Sequence, residues 1–351
     1  MVQKNRIFKS VVVVAFAFLF VSCKAKYSKS ETSSRSKVNS FEKKPVIGFS
    51  IDTLALERWQ RDLDVFMNKT KELHADIIVQ NAGNSVDEQK KQLLYLMDRK
   101  VDVVVVVAKK RDSLTEPIKM LRSKGIAVIS YDRLITDADI SLYISVDTER
   151  VGELMARRFI STGVGKKWYL ILGPEEDFNM SLLKKGVNKV IAGKGISIEG
   201  TFYTSGWNYD VSYNEAVNLI TSGNIPDAIL CGNDAVAGSV IKAFDDYYPG
   251  YHVSICGQDA DIAACQYVVR GKQDFTVYKP ISELSEMAAE YAVLLARGKK
   301  VSEIVPDQRK INNGYAEIPV VWLDPKIVEK NNIDEVVIKS GFHTYGEVYR
   351  E

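Results

Sequence analysis

Val101-Asp-Val-Val-Val-Val-Val107 is the stretch that decides the fold. Its valines favour extended backbone, because β-branched side chains are stiff at χ1 and pack well on a pleated surface. A strand with one wet face alternates apolar and polar residues. This one does not, so it predicts burial on both faces, the mark of a parallel sheet under helices. Working outward, similar runs recur at 46–52, 76–81, 126–132, 142–147, 168–173, 196–203, 228–234, 253–259 and 275–279. Most are separated by stretches with apolar residues at helical spacing, such as Val86, Leu93, Leu94 and Met97, or Val151, Leu154, Met155 and Phe159. So many strand–helix units exceed one open sheet of ordinary size. The chain is therefore predicted to be α/β, with two doubly wound, Rossmann-like parallel-sheet domains. No short fixed period appears, which excludes a solenoid.

The chain has 351 residues, 46% hydrophobic and 26% charged, enough for two domains and too apolar for a disordered protein. Its formal charge of +2 is unevenly spread. Residues 24–45 carry seven bases against Glu31 and Glu42, a net of +5. Residues 46–351 carry 37 bases and 43 acids, a net of −6. A mildly acidic body speaks against binding a nucleic-acid backbone, which needs a basic face.

Lys4, Arg6 and Lys9 precede an apolar run at residues 11–21, which Ser22 and Cys23 follow. The run is too short for the roughly 30 Å core of a bilayer and suits the h-region of a signal peptide. A small residue followed by cysteine at its end resembles a bacterial lipobox. That reading makes residues 1–22 a lipoprotein signal peptide and Cys23 the site of lipid attachment. Phe20 stands where the pattern prefers leucine, and an ordinary signal peptide with an incidental cysteine stays open. Residues 23–44, rich in serine and positive charge, read as a flexible tether near anionic headgroups. Of the remaining cysteines, Cys231 and Cys256 lie in strand-like runs and read as buried thiols. A Cys256–Cys265 bridge stays open, and none has metal-type spacing.

The strands repeatedly end in polar residues: Asp52, Asp132 then Arg133, Asp147, Asn233 then Asp234, Asp259, and Lys279. In open parallel sheets, ligands bind beyond the carboxyl ends of the strands. The alternative for each Asp or Asn is a helix cap that accepts backbone N–H bonds. A cap does not explain Arg133 or Lys279, whose side chains only donate. Strand ends of both charges suit recognition of neutral hydroxyls. The usual enzyme signatures are missing: there is no GxGxxG after a strand, no GxxxxGK[ST] and no GxSxG. His74, His252 and His343 show no triad or metal pattern. A pair of acids for glycoside hydrolysis stays open by counting alone, but the interleaved cations favour binding over catalysis. No enzyme, cofactor or metal is expected.

Several segments then match a known family: Leu56-Glu-Arg-Trp-Gln60, Tyr131-Asp-Arg133, Asp137-Ala-Asp139, Tyr143-Ile-Ser145, Val151-Gly-Glu-Leu154, Gly257-Gln-Asp-Ala-Asp261, Thr276-Val-Tyr-Lys-Pro280 and Asn312-Asn-Gly314. From about residue 45 onward the chain resembles the type I periplasmic sugar-binding proteins of ABC transporters, and within them the branch that binds D-xylose. The resemblance implies a sugar site made of Arg58, Trp59, Asp132, Arg133, Asn179, Trp207, Asn233, Asp259 and Lys279. The carboxylates would accept from sugar hydroxyls, and Arg, Lys and Asn would donate. Trp59 and Trp207 would stack on the two faces of a pyranose, with core packing as the alternative for either. Pro-Glu-Glu-Asp-Phe at 174–178 departs from the family's more neutral loop.

The resemblance also implies a three-strand hinge with crossings near 150, 280 and 311. The lobes are then 45–150 plus 281–311 and 151–280 plus 312–351, closing on the sugar by hinge bending. The implied partners are D-xylose, a membrane permease, and the membrane itself through Cys23. The protein would be a monomer of the periplasm or cell envelope. A co-receptor for a membrane kinase or chemoreceptor, or binding of another aldose, stays open. A repressor of this fold would need a basic helix-turn-helix ahead of residue 45, where there is only signal and tether.

Overall fold

Alternate valines of the central run pack into different cores. Val103, Val105 and Val107 join Ile47, Phe49 and Trp59 in one cluster, while Val104 and Val106 join Leu93, Leu96 and Ile118 in another. The strand is buried on both faces because helices cover both. The computed structural model describes residues 43–55, 57–305 and 309–350. The expected signal peptide, Cys23 and the tether before Lys43 lie outside the described residues.

The strands are, in chain order, β1 (Val46–Ile51), β2 (Asp76–Asn81), β3 (Val103–Val107), β4 (Ala127–Tyr131), β5 (Leu142–Val146), β6 (Lys167–Leu172) and β7 (Ser197–Tyr203). There follow β8 (Ala228–Cys231), β9 (Ser254–Gln258), β10 (Phe275–Tyr278), β11 (Lys310–Asn312), β12 (Glu317–Leu323) and β13 (Lys326–Val328). They form a seven-stranded sheet in the order β11-β12-β5-β4-β3-β1-β2 and a six-stranded sheet in the order β13-β10-β9-β8-β6-β7. Pairing is parallel except for β11 with β12 and β10 with β13.

The same half-order appears twice. β2-β1-β3-β4-β5 in one sheet matches β7-β6-β8-β9-β10 in the other. In each, the strand order reverses beside the first strand, and a crevice opens there at the carboxyl ends. The second sheet is packed like the first: Ala228 and Leu230 face one cluster, Ile229 and Cys231 the other.

The expected crossing near 311 falls too early. β12 pairs in parallel with β5, Val320 opposite Tyr143 and Leu323 opposite Val146, so residues 317–323 belong to the first sheet. Ile318 and Val320 face one core cluster and Val321 and Leu323 the other, which holds the strand in place. Only then does the chain enter β13, antiparallel to β10. Pro319 hid this strand from the sequence reading, because proline within an apolar run argues against a strand.

Cys231 and Cys256 are free, buried thiols, and burial pushes both well above the usual thiol range. Cys256 and Cys265 pack in separate clusters, so the bridge held open for them is not made. Among the described residues, no helix is long and apolar enough to cross a membrane.

Candidate functional site

The carboxyl ends of both sheets line one cavity of about 380 Å³, within the roughly 300–1,000 Å³ typical of small-molecule sites. All nine residues singled out above line it: Arg58, Trp59, Asp132 and Arg133 from the first sheet's side, Asn179, Trp207, Asn233, Asp259 and Lys279 from the second's. Asp132 directly follows β4 and Asp259 directly follows β9, so the two carboxylates hold matching places in the two sheets. Both have left-handed backbone, with φ of 61° and 105°. Such a conformation is unfavourable for a residue with a Cβ and persists where the surroundings over-determine it.

Asp132 is held from several sides. Arg58 Nη2 donates to its Oδ1, and Asn179 Nδ2 donates to Oδ2 at 3.1 Å. Its carbonyl accepts from Tyr143 and Ser145, each at 2.9 Å. Burial alone would raise this carboxyl, but Arg58 and Lys279 hold it below its usual value. Arg58 also approaches Asp62 at 3.6 Å and Asp259 at 3.8 Å. Burial works against the guanidinium charge, and these three carboxylates more than restore it. Asp259 is closed off by Lys279 Nζ at 2.5 Å.

Arg133 forms a second knot, with Asp52 at 2.5 Å and Asp177 at 3.1 Å. Asp177 comes from the departing loop at 174–178, caps the helix Phe178–Ile191 through the Asn179 N–H, and is raised by burial against the pull of Arg133. The bonds Asn179–Asp132 and Arg133–Asp177 both join elements of the two sheets, so polar contacts bridge the cavity.

Trp59 is 2% exposed and sits in the first core cluster, with the Arg58 guanidinium 4.5 Å and that of Arg133 5.4 Å from its ring centre. It is thus a core side chain that also walls the cavity, and its Nε1 is buried without a protein acceptor. Trp207 is half-buried and lies against Gly173, where a Cβ would come within 2.3 Å of the ring. Gly173 is therefore the residue that lets Trp207 settle there. Asn233 caps the helix Asp234–Tyr247, its Oδ1 accepting from the Val236 N–H at 2.9 Å, and also lines the cavity. For Asp147 the capping alternative holds, through the Arg150 N–H at 3.0 Å.

Sequence reasoning passed over Asp177, Asp62, Gln258 and Tyr209. Asp177 carried a signal, since an Asp immediately ahead of a helix start is a capping pattern. Asp62 lies one helical turn after Arg58, and it accepts from Tyr131 at 2.9 Å deep behind the site. Burial pushes it up to about 7, despite Arg58. Among the described residues, no group of three or more His, Cys, Asp or Glu could hold a metal ion.

Five aspartates, three cations, amides and two indoles around one cavity between twin α/β sheets suit a solute receptor. Residues 47–300 match the family described as periplasmic binding protein domain, and the chain belongs to it. Within that family it is a type I sugar-binding protein, a receptor and not an enzyme. Over 308 residues it is 38% identical to the D-xylose-binding periplasmic protein of Haemophilus influenzae, covering 86% of this chain and 92% of that one. The D-xylose-binding periplasmic protein of Escherichia coli K12 is equally similar, 38% over 308 residues with the same coverage. A solved ABC-transporter solute-binding protein from Clostridium phytofermentans, with bound β-D-glucose, superposes with a TM-score of 0.79 at 26% identity, over 86% of this chain and 99% of that one.

Proposed function

We propose that the protein captures D-xylose between its two lobes and presents it to an ABC permease. The observation that supports this reading is the meeting of Asp132 and Asp259 across one cavity, joined by Arg58, with Lys279 on Asp259. A pyranose offers hydroxyls around its rim and weakly apolar C–H faces. Carboxylates, Arg58, Arg133, Lys279, Asn179 and Asn233 suit the rim, and Trp207 suits a face. The 38% identity to proteins named for D-xylose binding supports the choice of sugar. The lobes are taken as 45–150 with 281–323 and 151–280 with 324–351, moved at the last crossing to follow the sheets. Residues 1–22 would direct export, and Cys23 would anchor the mature protein to the membrane as a monomer with a basic tether.

A thermal-shift screen of residues 45–351 against pentoses and hexoses tests the reading. D-xylose is expected to give the largest rise in Tm, and a larger rise with another sugar moves the assignment to that sugar. For the anchor, Cys23→Ala is expected to abolish detergent-phase partitioning of the full chain; unchanged partitioning contradicts it.

A further inference from the structure

The helix Glu57–Glu72 packs on the first sheet through Trp59, Leu63 and Phe66. Just past Arg58 and Trp59 it carries Arg61, which turns away from that core. Arg61 Nη1 donates to the Phe342 carbonyl, its guanidinium lies 4.2 Å from the centre of the Phe342 ring, and Nη2 is 3.4 Å from His343 Nδ1. Phe342 belongs to a different cluster, with Ala260, Tyr278 and Val328 from the second sheet's side, and its ring meets Tyr278 at 4.9 Å. The contact therefore joins elements of the two sheets, beside the cavity and outside the sugar-facing set.

His343 continues the connection. It is buried, and its Nε2 lies 2.8 Å from the Ala260 carbonyl oxygen. A carbonyl only accepts, so Nε2 carries the proton; Nδ1 then offers a lone pair to Arg61, which only donates. One neutral tautomer satisfies both bonds. Ala260 follows Asp259, and both are left-handed, with φ of 54° and 105°. Two successive residues with a Cβ in that region stay there only when fixed from outside. Val277 takes the Asp259 N–H at 2.9 Å, Thr276 takes the Ala260 N–H at 3.3 Å, and His343 holds the carbonyl beyond.

We infer that Arg61 and His343 are positioning residues for sugar capture: with Phe342 they tie the helix that carries Arg58 to the turn that carries Asp259, and so slow the separation of the two around a bound sugar. The inference rests on the sugar-binding reading. Arg61→Met keeps the side-chain stem over Phe342 and removes the donors, at a part-buried position outside the cavity. Stopped-flow binding of D-xylose to this variant is expected to show a dissociation rate about tenfold faster, the scale of one lost charge-assisted bond. The association rate, the order of sugar preference and the Tm of the sugar-free protein are expected to stay as in the wild type. His343→Leu is expected to act in the same direction, and the double variant to show less than the product of the two single effects, because both residues serve one connection. An unchanged dissociation rate in Arg61→Met, beside a wild type that binds D-xylose, overturns the inference alone. Independent effects of the two substitutions also overturn it. A wild type that binds no pentose or hexose removes the sugar reading and this inference together.

Discussion

Asp132 and Asp259 end equivalent strands of the two sheets and share the same unusual backbone, yet their surroundings differ. Asp132 is engaged on both oxygens, by Arg58 and by Asn179, and its carbonyl is held as well. Asp259 takes its cations on one oxygen, Lys279 at 2.5 Å and Arg58 at 3.8 Å. The difference separates two uses of one position. Asp132 is a knot that joins the sheets, whereas Asp259 meets its cations on one oxygen at the cavity wall, and on the proposed reading serves first as an acceptor for the sugar.

Substituting the two acids should therefore give unlike results. Asp132→Ala leaves buried Arg58 with only the longer contacts to Asp62 and Asp259, at 3.6 and 3.8 Å, and removes the bond from Asn179. Stability measured by denaturant unfolding is expected to drop by about 3–5 kcal/mol, as for other broken buried ion pairs, and sugar binding to vanish. Asp259→Ala should weaken sugar binding by about 2–4 kcal/mol in calorimetry while moving Tm far less. The comparison breaks if Asp259→Ala unfolds the protein while the folded remainder binds sugar normally, since Asp259 would then be structural.

Asp62 sharpens the comparison, because it flanks the same Arg58 as Asp132 and shifts the opposite way. Burial raises it from 3.8 to about 7. Between those values the folded protein holds a proton that the unfolded chain has lost, so stability falls as pH rises from about 4 to about 7. The slope from this one group is at most about 1.4 kcal/mol per pH unit. Asp62→Asn is expected to flatten that decline in urea unfolding at a series of pH values. An identical slope in both proteins would mean that Asp62 stays ionised beside Arg58.

Much of this was legible in the chain. Runs of β-branched residues mark strands because they are buried on both faces, and the valines of β3 carry that signal without ambiguity. Polar residues ending those runs point to the crevice, since side chains just past the last buried residue must emerge there. The short β11 and β13 and the Pro319-containing β12 carry too little pattern, and only pairing with β5 and β10 defines where they lie. The same limit applies within the site. Arg58 and Trp59 are marked by the family resemblance of residues 56–60, but nothing local says that Asp177 meets Arg133, or that Phe342 and His343 meet Arg61. Those pairs are made by bringing distant segments together. Nothing local to Trp59 says that the guanidinium groups of both Arg58 and Arg133 lie against its ring.

On the proposed reading, the cavity fits a pyranose pentose. Arg58 and Arg133 are buried and bound to carboxylates, so neither can retreat to admit an added exocyclic CH2OH without losing its partners. Titration calorimetry of residues 45–351 with D-xylose and D-glucose tests this most directly. One D-xylose per chain is expected at micromolar affinity or tighter, about −8 kcal/mol or better, and D-glucose at least about tenfold weaker. D-glucose, ribose or arabinose binding more tightly than D-xylose would contradict it.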